Sequence, residues 1–270
     1  MSDAAPVSAY IRTKNEARRI ADVVRAAKKA AQQVIVVDSG STDGTEDLAR
    51  EAGAEVHHVP WRGNGGQKRA AEELCRYDWL LDLDADEVID DAMAAHIRRL
   101  FENGQEPPHP VYGLRQVHAV PFGEPWWGTD IIVKNKLYDR RRLRIPDHPA
   151  WDQLEASKRT SPRLEGFMLH YMFADIGDLM RKQERNMTRR AAGVALKNKT
   201  VLALRIVFAL PIYFLKRYVG KGLFRRGVYG FAFSLTIAYG RWLKDVKLYE
   251  RHLRREQEAA EQPHWEPDHA

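Results

Sequence analysis

The sequence predicts an α/β protein with a mostly parallel sheet flanked by helices, followed by a helical C-terminal extension. Three observations carry that prediction. Short apolar runs alternate with helix-length segments through the first hundred residues, the pattern of a parallel sheet with crossover helices. Val34-Ile35-Val36-Val37 places four β-branched residues in a row, as a strand buried on both faces requires. Beyond about residue 175 the strand signals give way to long helical segments rich in Arg and Lys.

The elements follow in order. Val7-Ser8-Ala9-Tyr10-Ile11 reads as the first strand, with a polar turn at Thr13-Lys14-Asn15-Glu16 and a helix from about Arg18 to Ala31. The second strand ends at Asp38. Ser39 to Gly44 then reads as a turn, Thr45 to Ala52 as a helix, and Glu55 to Val59 as a short third strand. Asx-turns and helix N-caps are common uses for residues such as Asp38, Ser41 and Asp43. A glycine-rich loop from Trp61 to Gly66 leads into a helix starting near Gln67. It matches neither a Walker P-loop nor a dinucleotide fingerprint. Trp79 to Leu83 closes the unit as a strand.

The chain has 270 residues and is 44% hydrophobic, enough for a large α/β domain with an appendage. The single cysteine, Cys75, excludes a disulfide framework and a cysteine-based zinc site; it reads as a packing residue in a helix from Arg69 to Tyr77. Met1 to Val7 lacks the pattern of a secretory signal, so the expected location is cytoplasmic. Residues 1–100 carry 14 Lys and Arg against 18 Asp and Glu, while residues 101–270 carry 29 against 19. The basic C-terminal part implies an anionic partner. No nucleic-acid recognition motif accompanies it.

Trp79-Leu80-Leu81-Asp82-Leu83-Asp84-Ala85-Asp86-Glu87 drives an apolar strand into packed carboxylates. Crowded carboxylates repel one another unless a cation lies between them. Oxygen ligands of this kind suit Mg²⁺ or Mn²⁺, with phosphate completing the shell. Ligands of parallel α/β sheets bind at the carboxyl ends of strands, so Asp38 and the Asp84/Asp86 pair are expected to face one crevice. Glu87, Asp90 and Asp91 read as acids at a helix N-terminus.

Together these segments resemble the family 2 glycosyltransferases. Val7 to Glu16 is similar to that family's first strand and Asn-Glu turn. Val34 to Thr45 is similar to its second strand and Asp-x-Gly-Ser-Thr-Asp-Gly-Thr turn. Leu83-Asp84-Ala85-Asp86-Glu87 resembles its Asp-x-Asp motif. The Asp-Ala-Asp-Glu form and His170-Tyr171 resemble, more narrowly, the bacterial lipopolysaccharide-core glucosyltransferase branch. The resemblance implies a GT-A fold and inverting transfer of a sugar from a nucleoside diphosphate donor, UDP-linked by expectation. It implies that Asp38 reads the base and that Thr13 and Glu16 lie by the nucleoside. Asp84 and Asp86 would hold the ribose and the divalent ion, and Lys68 would contact the nucleotide. His170 would approach the metal, as a C-terminal histidine does in some GT-A enzymes, or else pack as a core histidine. For the base that takes the acceptor proton, Asp152 is the first choice and Glu155 the second. The branch's His-Glu pair aligns here with Trp151-Asp152, with His148 nearby.

Trp126 and Trp127, adjacent in a Pro- and Gly-rich stretch, read equally as an acceptor-stacking platform and as a loop anchor packed on the sheet. Arg140, Arg141, Arg142 and Arg144 divide between phosphate contacts and a solvated face. Farther on, Ile206 to Leu215 and Val228 to Gly240 are uncharged runs of ten and thirteen residues, short of the ~20 that a spanning helix needs. Apolar faces bordered by Arg205, Lys216, Arg217, Lys221, Arg225 and Arg226 fit helices lying in an anionic membrane interface, or a hairpin packed on protein or on a second subunit.

The expected division is a GT-A catalytic domain over residues 1–175, with a nucleotide-binding half to about 100 and an acceptor half from 101. A membrane-associating helical region over 176–255 and a disordered tail over 256–270 follow. The expected partners are a nucleotide-sugar donor and a glycan or lipid-linked acceptor, at the inner face of the membrane. Transfer to a polyprenyl phosphate, nucleotidyl transfer, and a non-catalytic nucleotide- or glycan-binding module are the alternatives.

Overall fold

Strands form where the apolar runs are densest, and their order in space sets up the site. The computed structural model describes residues 4–149, 151–157 and 159–261. The chain divides into two compact units, Met1–Met172 and Phe173–Ala270.

The first unit runs β1 (Ala5–Thr13), α1 (Ile20–Lys28), β2 (Ala31–Asp38), α2 (Thr45–Glu51), β3 (Glu55–His58), α3 (Asn64–Leu74), β4 (Trp79–Asp84), β5 (Glu87–Ile89), α4 (Asp91–Arg99), β6 (Val111–His118), β7 (Ile132–Asp139) and β8 (Met168–His170). These strands form one sheet in the order β3-β2-β1-β4-β7-β6-β8-β5. The β1–β2, β1–β4, β2–β3 and β6–β8 pairs are parallel. The β4–β7, β6–β7 and β5–β8 pairs are antiparallel. Val34 and Val36 join one hydrophobic layer with Ala9, Ile11 and Leu81, whereas Ile35 and Val37 join the opposite layer with Tyr10 and Leu80. Both faces of the central strands are therefore covered, which is why their sequences are continuous rather than alternating.

Several local expectations are corrected. The helix expected near Gln67 begins at Asn64, after Gly63 at φ 90°. Cys75 caps that helix rather than lying inside it; the thiol is buried, and burial pushes its pKa up to about 12. Glu87 is not a helix-start acid. It belongs to β5 and is buried, while Asp90 is the N-cap of α4, accepting from the Met93 N–H at 2.8 Å.

The second unit contains α5 (Ile176–Ala192), α6 (Lys199–Tyr218, with Pro211 inside it) and α7 (Gly227–Glu261). Helix α7 carries residues 256–261 of the tail expected to be disordered, and the remainder of that tail lies outside the described residues. Arg205 on α6 is paired with the buried Asp245 on α7 at 2.9 Å. It thus ties the helices together instead of bordering an apolar face. Among the described residues, no helix is long and apolar enough to cross a membrane.

Candidate active site

The two polar turns singled out in the sequence bind each other. Asn15, at φ 55°, donates its N–H to the Ser41 hydroxyl at 2.8 Å and accepts from the Thr42 N–H at 2.9 Å. The Glu16 N–H reaches Thr45 Oγ1 at 2.9 Å, and the Ala17 N–H reaches Asp43 at 3.1 Å. Parallel pairing sets this up by placing Thr13 opposite Asp38. Asp38 is fully buried and turned onto its own loop. Oδ1 accepts the Gly40 and Ser41 N–H groups at 2.7 Å each, and Oδ2 accepts the Ser41 hydroxyl.

Beside these turns lies a cavity of about 280 Å³ whose walls include Arg12, Thr13, Glu16, Asp84, Asp86 and His170. Four of the expected donor-side residues thus converge. Asp38 does not line the cavity, and Lys68 stands just behind it. Lys68 is almost fully buried, with Nζ 2.7 Å from Asp82, 3.6 Å from Asp84 and 3.9 Å from Asp152. Arg12 donates to Asp84 at 2.8 Å and lies 2.8 Å from Asp152. Lys136, also buried, reaches Glu87 at 2.5 Å, Asp84 at 3.5 Å and Asp82 at 3.8 Å. Three cations therefore interleave four carboxylates. Burial alone would raise the Asp84 pKa, but Arg12, Lys136 and Lys68 hold its carboxyl well below the usual carboxylate range. Burial works against the charge on Lys136, yet Asp82, Asp84 and Glu87 keep its proton bound well above the ordinary lysine range.

Asp86 and His170 form the outer corner. Strand pairing places Glu87 opposite His170, and His170 Nε2 lies 3.4 Å from Asp86 Oδ2. Burial opposes protonation of this ring, but Asp86, with Glu87 and Asp84, raises the His170 pKa. One carboxylate and one imidazole on an open cleft, with phosphate oxygens to complete the shell, fit a Mn²⁺- or Mg²⁺-type ion. A second group, Asp38, Glu46 and His58, has ligand atoms within 4.8 Å of one another. There the Asp38 oxygens are already engaged by their turn.

The glycine-rich run seats the segment that carries Asp152. The Asn64 and Gly65 N–H groups donate to the Pro149 and His148 carbonyls, both at 2.9 Å. A Cβ on Gly65 would lie 2.2 Å from the Pro146 oxygen and 2.4 Å from the Trp151 oxygen. Backbone-to-backbone docking at this distance admits only glycine. Asp152 is thereby held against Arg12, whereas Glu155 is exposed. His148 accepts the Trp151 N–H at 2.9 Å, which shapes the same loop. Of the tryptophan pair, Trp126 is buried edge-on against His118, and only Trp127 offers an exposed ring, packed beside Phe167. Arg140 and Arg144 hold Asp78, Glu72 and nearby carbonyls, and Arg141 holds Asp139 and Glu106. These three arginines brace the loop after β7.

The sequence from residue 8 to residue 155 matches the model of glycosyl transferase family 2. The chain belongs to the family 2 glycosyltransferases. It is 29% identical to an uncharacterized glycosyltransferase of Rickettsia felis, over 92% of this chain and 91% of that protein. It is 27% identical to the lipopolysaccharide core biosynthesis glycosyltransferase LpsC of Rhizobium meliloti, over 92% of this chain and 93% of that protein. Among solved structures, it overlaps glucosyl-3-phosphoglycerate synthase from Mycobacterium tuberculosis, in complex with Mg²⁺ and UDP, at a TM-score of 0.34 and 22% identity, covering 42% of this chain and 43% of that one.

As a glycosyltransferase, the chain carries site residues that sequence reasoning passed over. Arg12 ends an apolar strand and pairs in register with Asp84. That is the same strand-end signal that marked Asp38 and Asp84, so it was readable. Lys136 and Gln116 give no such signal, because their partners lie on strands distant in sequence.

Proposed function

We propose that this glycosyltransferase is an inverting, metal-dependent enzyme that moves a sugar from a UDP-linked donor to a lipopolysaccharide-type or lipid-linked glycan. The observation that carries this reading is the convergence of Asp84, Asp86 and His170 on one cavity at the strand carboxyl ends. Asp86 and His170 would hold the divalent ion. When bound, that ion supplies positive charge to the departing diphosphate as the glycosyl bond breaks. Asp84 orients the ribose side of the donor, with Lys68 and Lys136 fixing its carboxylate from behind. Thr13 and Glu16 flank the nucleoside. Asp38 shapes the turn against which the base rests, and base reading by the same carboxylate requires that turn to yield one oxygen.

Asp152 takes the acceptor hydroxyl proton. Its pairing with Arg12 places it beside Asp84, where the reacting carbon of a donor would lie. A diphosphate arriving at this corner competes for Arg12 and leaves the Asp152 oxygen free to accept a proton. Trp127 provides the acceptor-side ring.

The acceptor reading draws on the relative LpsC, a lipopolysaccharide core biosynthesis glycosyltransferase matched over most of both chains. It draws also on α6, where Leu204, Val207, Phe208, Ile212 and Leu215 are all exposed at helical spacing. Lys216, Lys221 and Arg225 are exposed at and beyond the helix end. An apolar stripe bordered by cations suits an anionic membrane interface, on the leaflet where a lipid-linked acceptor would be presented. The same surface favours, as a second reading, transfer to a polyprenyl phosphate.

The direct test is a thermal-stability screen of nucleotides and nucleotide sugars with Mn²⁺. One nucleoside diphosphate sugar, from the UDP series, is expected to raise the melting temperature in a metal-dependent way. Occupancy at a hundred times Kd adds about 2.7 kcal/mol. No shift with any nucleotide sugar would refute the donor assignment.

A further inference from the structure

We propose that Arg115, Phe167 and Trp127 form an acceptor subsite for a sugar residue that carries a carboxylate or a phosphate. The inference rests on the reading above, in which Trp127 faces a glycan acceptor. Arg115 lies in β6, and its guanidinium sits 4.4 Å from the centre of the Phe167 ring. Phe167 immediately precedes β8, and the Trp127 ring meets it edge-on at 5.3 Å. Trp127 is 42% exposed, while Arg115 and Phe167 are half-buried. The ledge is fixed from behind. Asp90 donates its N–H to the Phe167 carbonyl and accepts the Phe167 N–H on its carboxylate, both at 2.9 Å. Gly166, at φ 78°, permits this approach, since a Cβ there would lie 2.4 Å from the Met93 nitrogen. The Trp126 N–H donates to the His118 carbonyl at 2.9 Å, which pins the loop next to Trp127.

Arg115 donates from Nε to the Gly166 carbonyl at 3.2 Å, and it makes no ion pair among the described residues. Its terminal N–H groups form the planar fork that recognises carboxylate and phosphate. Most other arginines around β7 and its following loop are already spent on carboxylates, as Arg140, Arg141 and Arg144 are. The exposed Trp127 ring offers apolar area to the C–H face of a sugar. Together the ring and the guanidinium select a ligand that is apolar on its face and anionic at its edge. The ledge is separate from the point of transfer. Successive strand residues face opposite sides of a sheet, and Gln116, next to Arg115, is the one that reaches His170, at 2.7 Å. Arg115 therefore faces away from His170, and Phe167 lies about 10 Å from His170 along the strand. The sugar held there is a residue of the acceptor other than the one being glycosylated.

The test uses the full chain with nitrogen-15 in its tryptophan indoles, and with UDP and Mg²⁺ present to fill the donor cavity. Trp127→Phe identifies the Trp127 signal, and the protein is titrated with methyl glucoside, glucuronate and glucose 6-phosphate. At least one of the two anionic sugars is expected to move that signal at a concentration about tenfold or more below that of methyl glucoside. Which of them does so tells a carboxylate subsite from a phosphate subsite. Arg115→Gln is expected to weaken binding of the anionic sugar about 10–100-fold and to leave methyl glucoside unchanged. Arg115→Lys, which keeps the charge, is expected to retain the preference. Equal affinity for all three sugars in the unaltered protein would overturn the proposal without recourse to a variant. So would a preference that survives in Arg115→Gln, or a Trp127 signal that no sugar moves. Thermal stabilisation by UDP with Mg²⁺ separates this from the donor reading. Stabilisation alongside a silent Trp127 overturns the subsite alone, whereas its absence overturns the donor assignment.

Discussion

Lys136 shows what holds the acidic corner together. It reaches Glu87, Asp84 and Asp82 from the middle of β7, with almost no exposure of its own. Removing one partner of a buried charge set leaves the others uncompensated, at a cost of about 3–5 kcal/mol. Lys136→Met is therefore expected to lower unfolding free energy by that amount in urea denaturation, and a loss under 1 kcal/mol would show that the corner does not depend on it. Asp84, Asp86, Thr13 and Glu16 were legible in the sequence because each sits where an apolar strand gives way to polar residues. Lys136 was not. A lysine within a strand reads as solvent-facing until the partner strands are known.

At the scale of elements, the glycine-rich run and the backbone at Pro146, His148, Pro149 and Trp151 act as one piece. Glycine lowers helix propensity, so Gly65 and Gly66 read as loop, and the N-terminal start of α3 was missed. Tertiary contact explains the choice, since the helix begins early to let the backbone at Pro146, His148, Pro149 and Trp151 dock on it. Gly65→Ala forces that backbone away and carries Asp152 with it. A displacement of about 1 Å can cost on the order of 100-fold in rate. The expected outcome is a drop of that size in kcat with donor affinity retained, read by turnover and nucleotide titration. Unchanged kcat would separate the segment from the chemistry. The parallel strands were legible because burial on both faces demands unbroken apolar runs. The β5–β8 pairing, which delivers His170 to Asp86, was not, because each strand has only three residues.

At the scale of the whole molecule, the proposed nucleotide-sugar site belongs to the first unit and the exposed apolar helix α6 to the second. Flotation with anionic liposomes at low salt is expected to carry the full chain upward. Replacing Leu204, Phe208 and Ile212 with Ser is expected to leave it in the soluble fraction, and equal recovery of both proteins would count against a membrane-facing α6. The longer-range outline was readable from the sequence, including the basic helical region. The pairing of Arg205 with Asp245 was not, because a helix pattern does not show which cation meets its neighbour. The central claim is metal-dependent glycosyl transfer at the Asp84, Asp86 and His170 corner. Its most direct test is the nucleotide product formed when UDP-sugars are supplied with Mn²⁺ and a lipopolysaccharide acceptor. The predicted result is release of UDP that disappears with chelator and in Asp86→Asn. Release of pyrophosphate, or UDP release indifferent to chelator, would contradict it.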